Sequence, residues 1–339
     1  MKGAPTVVVA LAGLLLLMAL AYAAAGIGTR AGEVTFDPGW PAQLDASAGS
    51  TISAVLGHLR LPRIAAAILV GAALAVAGLM LQGVSRNPLA DPFLLGISGG
   101  AAMSVVILHA IPNLVEAAGW WLVPVAAFAG AQGATTLVLS LARGPGGRVT
   151  MLGLILGGVI INSFCAAVTT FLLTRFAPLK LRITTMWLAG GLGYIEWGQL
   201  ALSAVIIAAV LVFVRSRAAR LNAFALGEEG ARLVGVDSRG LLTQTAWAAS
   251  LLAGIAVSLG GLIGYVGLLV PHLVRLAVGG DFRHTLALSA IGGALLLLLG
   301  DTAARTIMSP QEIPVGVLAA LIGTPLLLLL IRRELKGGP

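Results

Sequence analysis

The sequence is dominated by apolar runs of about 20 residues, which recur along its whole length between short segments rich in Gly, Pro and charge. A helix of that length crosses the hydrocarbon core of a bilayer, because 20 residues rise roughly 30 Å. Only 10% of the residues are charged, whereas soluble domains carry about 25%. The chain is therefore predicted to be an all-α integral membrane protein.

Ten such runs can be distinguished, one of them short. They lie at 6–25, 62–83, 94–111, 119–142, 150–173, 197–214, 240–259, 262–276, 285–303 and 313–331. Small residues recur at four-residue spacing, as in Ala67, Gly71 and Ala75, which lets helix backbones approach closely in lipid. We expect about ten transmembrane helices in one bundle, with residues 1–339 forming a single transmembrane domain.

Basic residues report the orientation, because Lys and Arg collect in cytoplasmic loops. With both termini in the cytoplasm, cytoplasmic segments hold 14 of the 21 basic residues. These are Lys2, Arg86, Arg143, Arg148, Arg215, Arg217, Arg220, Arg232, Arg239, Arg275, Arg283, Arg332, Arg333 and Lys336. Topology thus accounts for much of the net charge of +8, and no nucleic-acid partner is expected.

Residues 215–239 form the longest polar insert, RSRAARLNAFALGEEGARLVGVDSR, which is cytoplasmic in this topology. The pattern predicts two short helices around GEEG, with a small apolar face from Leu226, Ala231, Leu233 and Val234. A solvated loop does not need an apolar face. A docking surface for another protein is therefore favoured over a solvated loop.

The sequence lacks the motifs that would give the chain catalysis of its own. It contains no GxxxxGK[ST], so any ATP would be hydrolysed by a separate chain. The four histidines are scattered without HExxH, there is no GxSxG, and Cys165 is the only cysteine. We therefore predict no catalytic residue, no metal site and no cofactor in this chain.

The polar residues near the centres of the runs, such as Gln82, Asn162 and Thr169, are uncharged. Charged side chains at that depth usually mark proton or ion pathways. Their absence argues against a stand-alone channel or ion-coupled carrier. Unwound backbone can also coordinate ions, so that alternative stays open.

Four long stretches, in order, resemble the FecCD-type permease subunits of type II ABC importers, which carry iron-siderophores, haem or cobalamin. They are LRLPRIAAAILVGAALAVAGLMLQGVSRNPLADPFLLGISGGA, LNAFALGEEGARLVGVD, GGLIGYVGLLVPHLVRL and GDTAARTIMSPQEIPVGVLAALIGTPLLLLLI. The resemblance implies a bacterial inner-membrane permease of two subunits around a central pathway, here a homodimer. It also implies two cytoplasmic ATPase subunits, which bind ATP and Mg, and a periplasmic binding protein.

The resemblance also implies two cytoplasmic constrictions. Asn87 and Leu89, in SRNPLADP between the second and third runs, match gate positions, although the segment could instead be a mere tight turn. Thr150 and Met151 begin the fifth run at the second constriction, where GRVTMLGLILGG departs from the Ser/Thr cluster of relatives. Asn162 either lines the pathway or makes an interhelical hydrogen bond.

Two docking surfaces follow from the resemblance. The ATPase contact comprises Leu226, Gly227, Glu228, Glu229, Gly230, Ala231, Arg232 and Gly235. On the outer side, Arg60, Arg63 and Arg305 match positions that receive acidic residues of the binding protein, and Arg holds a carboxylate bidentately. The alternatives are a membrane-interface anchor for Arg63 and an i,i+4 bridge between Asp301 and Arg305.

The substrate is less clearly indicated. The family favours a ferric siderophore, whereas the Gly-Gly in MWLAGGLGYIEW, at 186–197, is closer to cobalamin relatives. Haem is the third possibility, and no histidine lies at mid-membrane to ligate it. In VPHLVR, His272 and Arg275 are expected to satisfy exposed carbonyls, which is a structural role.

Overall fold

The computed structural model describes residues 3–30, 33–42, 54–119, 121–144, 149–193 and 195–335. Helices make up most of these residues and surround a core of small and aliphatic side chains. They are α1 Gly3–Gly26, α2 Leu61–Ser85, α3 Ile97–Ala110, α4 Leu114–Ala118, α5 Leu122–Leu141, α6 Met151–Leu173, α7 Pro178–Leu188, α8 Trp197–Phe224, α9 Gly227–Leu233, α10 Ser238–Gly260, α11 Val266–Val278, α12 Phe282–Thr306 and α13 Val315–Leu335.

The apolar helices coincide with the ten predicted runs. Seven of those in the described chain are long and apolar enough to cross a membrane by length and composition, namely Thr6–Gly26, Leu56–Ser85, Leu122–Leu141, Met151–Leu173, Trp197–Phe224, Gly240–Gly260 and Phe282–Thr306. Three shorter apolar helices are Ile97–Ala110, Val266–Val278 and Val315–Leu329. The predicted helical bundle of about ten spans is confirmed.

Several short elements were not predicted, among them helices α4 and α7, which lie between the predicted runs. Strands β1 (Ile27–Arg30) and β2 (Glu33–Phe36) form an antiparallel hairpin after α1, and the β-branched and aromatic residues of EVTF favour that conformation. A π-helical turn at Leu56–Arg60 leads into α2, and a 3-10 turn at Pro92–Leu95 precedes α3. The all-α expectation therefore holds for the spans but missed this hairpin.

The prediction of two short helices around GEEG is wrong. Helix α8 continues through the first half of the insert to Phe224, because RSRAARLNAF contains good helix formers and neither Gly nor Pro. Val214, Ala218 and Leu221 are buried at helical spacing and anchor this extension. GEEG itself begins α9 instead of separating two helices.

Helix α2 lies at the centre of the bundle and packs against α8, α10, α11 and α12. Its small residues make this possible. A Cβ added to Gly71 would lie 2.2 Å from the Gly293 carbonyl oxygen, and one added to Gly78 would lie 1.9 Å from that of Gly267. The expected close approach of helix backbones at small residues is confirmed here.

The polar segments gather at the two ends of the bundle. At the arginine end, defined by Arg60, Arg63, Asp301, Arg305 and Glu312, the beginnings of α2 and α13 meet the end of α12.

At the opposite loop end, α2, α8, α9 and α12 meet. The Asn222 amide donates to Asp281 at 2.7 Å and its oxygen accepts from the Phe282 N–H at 2.8 Å, while Arg86 lies beside Gly227. The two ends hold the two sets of predicted site residues.

Candidate transport surfaces

The loop after α2, residues 86–91, holds the predicted gate at the loop end. Arg86 ends α2 in the left-handed region, with φ of 51°. The Asn87 side-chain oxygen accepts from the Leu89 N–H at 2.9 Å, and its carbonyl accepts from the Ala90 N–H at 3.1 Å. The Leu89 side chain is 41% exposed. Asn87 therefore shapes the turn, and the turn presents Leu89.

Asp91 fixes the other end of this loop. Its carboxylate accepts from the Phe93 N–H at 2.7 Å and caps the 3-10 turn. Burial raises the pKa of Asp91 to about 6, although the Phe93 hydrogen bond lowers it. Because the ordinary pKa of Asp is about 3.9, the protonated form favours the fold, and this contribution is lost as pH rises from about 4 through 6.

Asn162, in α6, ties that helix to the segment after the gate loop. Its Nδ2 donates to the Phe93 carbonyl at 3.1 Å, and its Oδ1 accepts from the Gly99 N–H at 3.0 Å. One turn earlier, Gly158 lies against the Leu94 carbonyl, where no side chain fits. Asn162 thus makes the interhelical hydrogen bonds that were one of its two expected roles, and pathway lining stays a prediction.

Thr150 and Met151 lie at the start of α6. The Thr150 hydroxyl accepts from the Gly153 N–H at 3.1 Å and caps the helix. Thr150 is exposed, while Met151 is half-buried against the core. The hydroxyl is therefore used for helix capping, and the second constriction stays a prediction.

Two glycines bound α9 in the predicted coupling segment. Gly227 and Gly235 have φ of 91° and 79°, a region that glycine enters without steric cost. The Val236 N–H donates to the Ala231 carbonyl and the Gly235 N–H to the Arg232 carbonyl, both at 2.9 Å. This pair of bonds is a Schellman motif, which ends the helix sharply.

The apolar face expected in this segment is present in part. Leu226, Leu233 and Val234 are 67%, 89% and 60% exposed, whereas Ala231 is buried and does not contribute. Glu229 and Arg232 are also exposed. The predicted coupling segment thus presents three large apolar side chains that the described part of the chain leaves uncovered.

At the arginine end, a fully buried carboxylate holds two of the three predicted docking arginines. Arg63 Nε donates to Asp301 Oδ1 and Oδ2 at 3.0 and 3.1 Å, and its Nη2 lies 2.9 Å from Oδ1. Arg305 Nε lies 3.3 Å from Asp301 Oδ2, so the i,i+4 bridge is confirmed. Arg63 also donates from Nη1 to Glu312 at 2.7 Å.

The third arginine faces the same space. Arg60 Nη1 donates to the Ala25 carbonyl at 3.2 Å. Together with Arg63, Arg305 and Glu312 it lines a cavity of about 250 Å³. The structure therefore brings the three predicted arginines together.

Sequence reasoning missed Glu312, and it paired Asp301 with Arg305 alone. Asp301 is the one acidic residue between Phe282 and Thr306. A lone acidic residue in an otherwise apolar run needs a cationic partner, but the sequence does not indicate which distant residue that partner is.

A buried polar contact joins α2 to the VPHLVR segment. Gln82 Nε2 donates to the carbonyls of Gly267 and Leu268 at 3.1 Å each, and Arg275 Nη2 donates to Gln82 Oε1. His272 is buried within α11. The carbonyls at the start of α11 are thus satisfied by Gln82, a partner that the sequence did not indicate.

Apolar helices that run from one polar end of the bundle to the other define a polytopic membrane protein. Among the described residues, no group of three or more His, Cys, Asp or Glu could hold a metal ion. Residues 14–333 match the FecCD transport family, and the chain belongs to that family. It is a transport permease of the ABC importer class and not an enzyme.

Curated relatives match along nearly the whole chain. The hemin transport system permease protein HmuU of Yersinia pestis is 38% identical over 95% of this chain and 94% of its own length. The vitamin B12 import system permease protein BtuC of Serratia proteamaculans is 37% identical, covering 94% and 92%. The iron(3+)-hydroxamate import system permease protein FhuB of Bacillus subtilis is 35% identical, covering 98% and 84%.

A solved structure shares the fold. It is an ABC transporter described as metal-chelate type, in an inward-facing conformation. The TM-score is 0.81 with 28% identity, covering 97% of this chain and 99% of the other.

Proposed function

We propose that the chain is the permease subunit of a type II importer that carries a metal chelate from periplasm to cytoplasm. The names of its relatives include haem, iron-hydroxamate and vitamin B12 transport, and all three substrates are metal chelates. A ferric siderophore is our first choice, with haem and cobalamin as alternatives. The loop end and both termini then face the cytoplasm of a bacterial inner membrane, in accord with the basic residues.

The main support for an ATP-driven mechanism is the exposed apolar patch formed by Leu226, Leu233 and Val234. It lies outside the membrane spans, so lipid does not cover it. Large apolar side chains exposed on and beside a short helix outside the membrane are typical of a protein contact. We propose that one of two ATPase subunits, which bind ATP and Mg, contacts this patch.

Replacing Leu233 and Val234 by Ser is expected to lower retention of the ATPase by about tenfold or more, since each loses roughly 1 kcal/mol of buried apolar contact. Co-purification and substrate-stimulated ATP hydrolysis measure the effect. Arg283→Gln, at an exposed position at the start of α12 outside the coupling segment, is the control and should retain the ATPase. Unchanged retention by the double Ser variant would show that the contact lies elsewhere.

A second copy of the chain completes the pathway in this proposal. Helix α6 carries Met151 and Asn162 and is capped by Thr150. In the described part of the chain, it leaves an apolar face uncovered along its length. The exposed residues of that face are Leu152, Leu156, Val159, Ile160, Phe164 and Phe171. A homodimer would cover part of this face, and lipid the rest, with the pathway between the copies.

In the closed dimer, Leu89 of each copy seals the cytoplasmic side by apolar contact, a way of closing that needs no ionic lock. Leu89→Gly is expected to make ATP-free proteoliposomes leak a small fluorescent dye at least several-fold faster than wild type. Leu89→Met keeps the apolar bulk and should remain tight. If the Leu89→Gly variant does not leak the dye, the constriction lies at Thr150 and Met151 instead.

The arginine end receives the periplasmic binding protein. Arg60, Arg63 and Arg305 line one cavity, and a guanidinium suits an incoming carboxylate. The remaining alternative, a carrier that works alone, predicts transport into liposomes without any ATPase. Transport that requires the ATPase and ATP supports the importer.

A further inference from the structure

Arg63 has two acidic partners with different surroundings. Asp301 is fully buried and holds Nε and Nη2 in a fixed, bidentate arrangement. Glu312 accepts from the remaining nitrogen, Nη1, at 2.7 Å, and its side chain is 54% exposed. An exposed ion pair contributes little to stability, because water competes for both charges. Asp301 is therefore a permanent partner of Arg63, whereas Glu312 can be replaced.

The Arg63–Glu312 pair lies between two cavities. Both residues line the cavity of about 250 Å³ that contains the other two arginines. Both also line a second cavity of about 420 Å³, whose other walls include Met186, Trp187 and Leu192. The pair is thus part of the boundary between a charged cavity and a largely apolar one.

The charged cavity has unused capacity for an acceptor. Arg305 Nη2 is buried and has no hydrogen-bond partner in the described part of the chain. The cluster of three arginines and two carboxylates keeps an excess of one positive charge. A buried donor without an acceptor is costly, so an added carboxylate fits this cavity.

We propose that Glu312 is an internal stand-in for the binding protein's acidic residue and is displaced from Arg63 when that residue docks. Its release opens the boundary between the two cavities, which links docking to access for the substrate. The proposal rests on the docking role assigned above to the arginine end. Glu312 then weakens docking in the resting permease and prevents Arg63 from binding other anions.

Glu312→Gln tests the proposal directly, because it removes the charge and keeps the size. Modification of Arg63 by phenylglyoxal, followed by mass spectrometry of the purified permease, should become roughly two- to fivefold faster. Affinity for the periplasmic binding protein, at low ionic strength, should rise by a similar factor. Glu196→Gln removes an exposed acid that starts α8, and it should change neither measurement.

Three results would overturn the proposal. Unchanged labelling of Arg63 would show that Glu312 does not hold it in solution. Faster labelling without tighter docking would show that Glu312 does not compete with the binding protein for Arg63. An equal effect of Glu196→Gln would show that any acidic residue on this surface repels the binding protein, without a specific role for Glu312. The double variant R63E/R305E tests docking itself, because undiminished binding by that variant refutes the assigned docking surface instead.

Discussion

Replacing Asp301 by Ala is expected to destabilise the permease by about 3–5 kcal/mol, the usual cost of removing one partner of a buried ion pair. The carboxylate is fully buried and neutralises Arg63 and Arg305, whose side chains are only 15% and 12% exposed. Without it, two guanidinium groups stay close together in an apolar bundle. The midpoint of thermal unfolding in detergent, followed by tryptophan fluorescence, should fall by several degrees.

A second aspartate on the same helix provides the control. Asp281 caps α12 at its exposed beginning by accepting from the Arg283 N–H at 2.8 Å, so Asp281→Ala should cost about 1 kcal/mol. An equal loss from both substitutions would contradict the buried-pair argument. Replacing Asp301, Arg63 and Arg305 together by Leu, Met and Met should recover much of the stability.

Gly71→Ala is expected to destabilise the bundle by about 3 kcal/mol through overpacking. The new Cβ would lie 2.2 Å from the carbonyl oxygen of Gly293, and a Cβ on Gly293 would meet the Gly71 oxygen at the same distance. Backbone atoms cannot rotate away as side chains do. Helices α2 and α12 would have to separate, so the unfolding midpoint in detergent and the yield of folded permease should both fall.

Gly133→Ala is the matched control for this substitution. Gly133 lies in α5, and nothing approaches within 4 Å of its added Cβ. Alanine has a higher helix propensity, by about 1 kcal/mol, so this variant should be neutral or slightly more stable. Equal destabilisation by the two variants would mean that glycine matters for flexibility and not for close packing.

The membrane spans could be predicted from the length of the apolar runs. Whether a run of apolar residues crosses a bilayer depends on local composition, and the ten runs contain that information. The end of α8 was placed too early because Arg215, Arg217 and Arg220 were interpreted as the start of a polar insert with short helices of its own. Arginine is a good helix former, and buried Ala218 and Leu221 continue the helix beyond the apolar run.

Local contacts at the candidate site were also accessible from sequence. The bridge between Asp301 and Arg305 follows from i,i+4 spacing. The contact between Arg63 and Asp301 joins residues 238 positions apart, and a single sequence contains no signal for such a pair. Glu312 was overlooked for the same reason.

Helix α2 joins the two polar ends of the permease directly. It begins just after Arg60 and ends at Ser85, two residues before Asn87. Its 25 residues rise roughly 37 Å, and neighbouring helices surround it on most sides. A rod packed so closely cannot bend without opening its interfaces. If Arg63 docks a partner and Leu89 forms the gate, as proposed above, a tilt of α2 imposed at Arg63 would therefore move Leu89 as well.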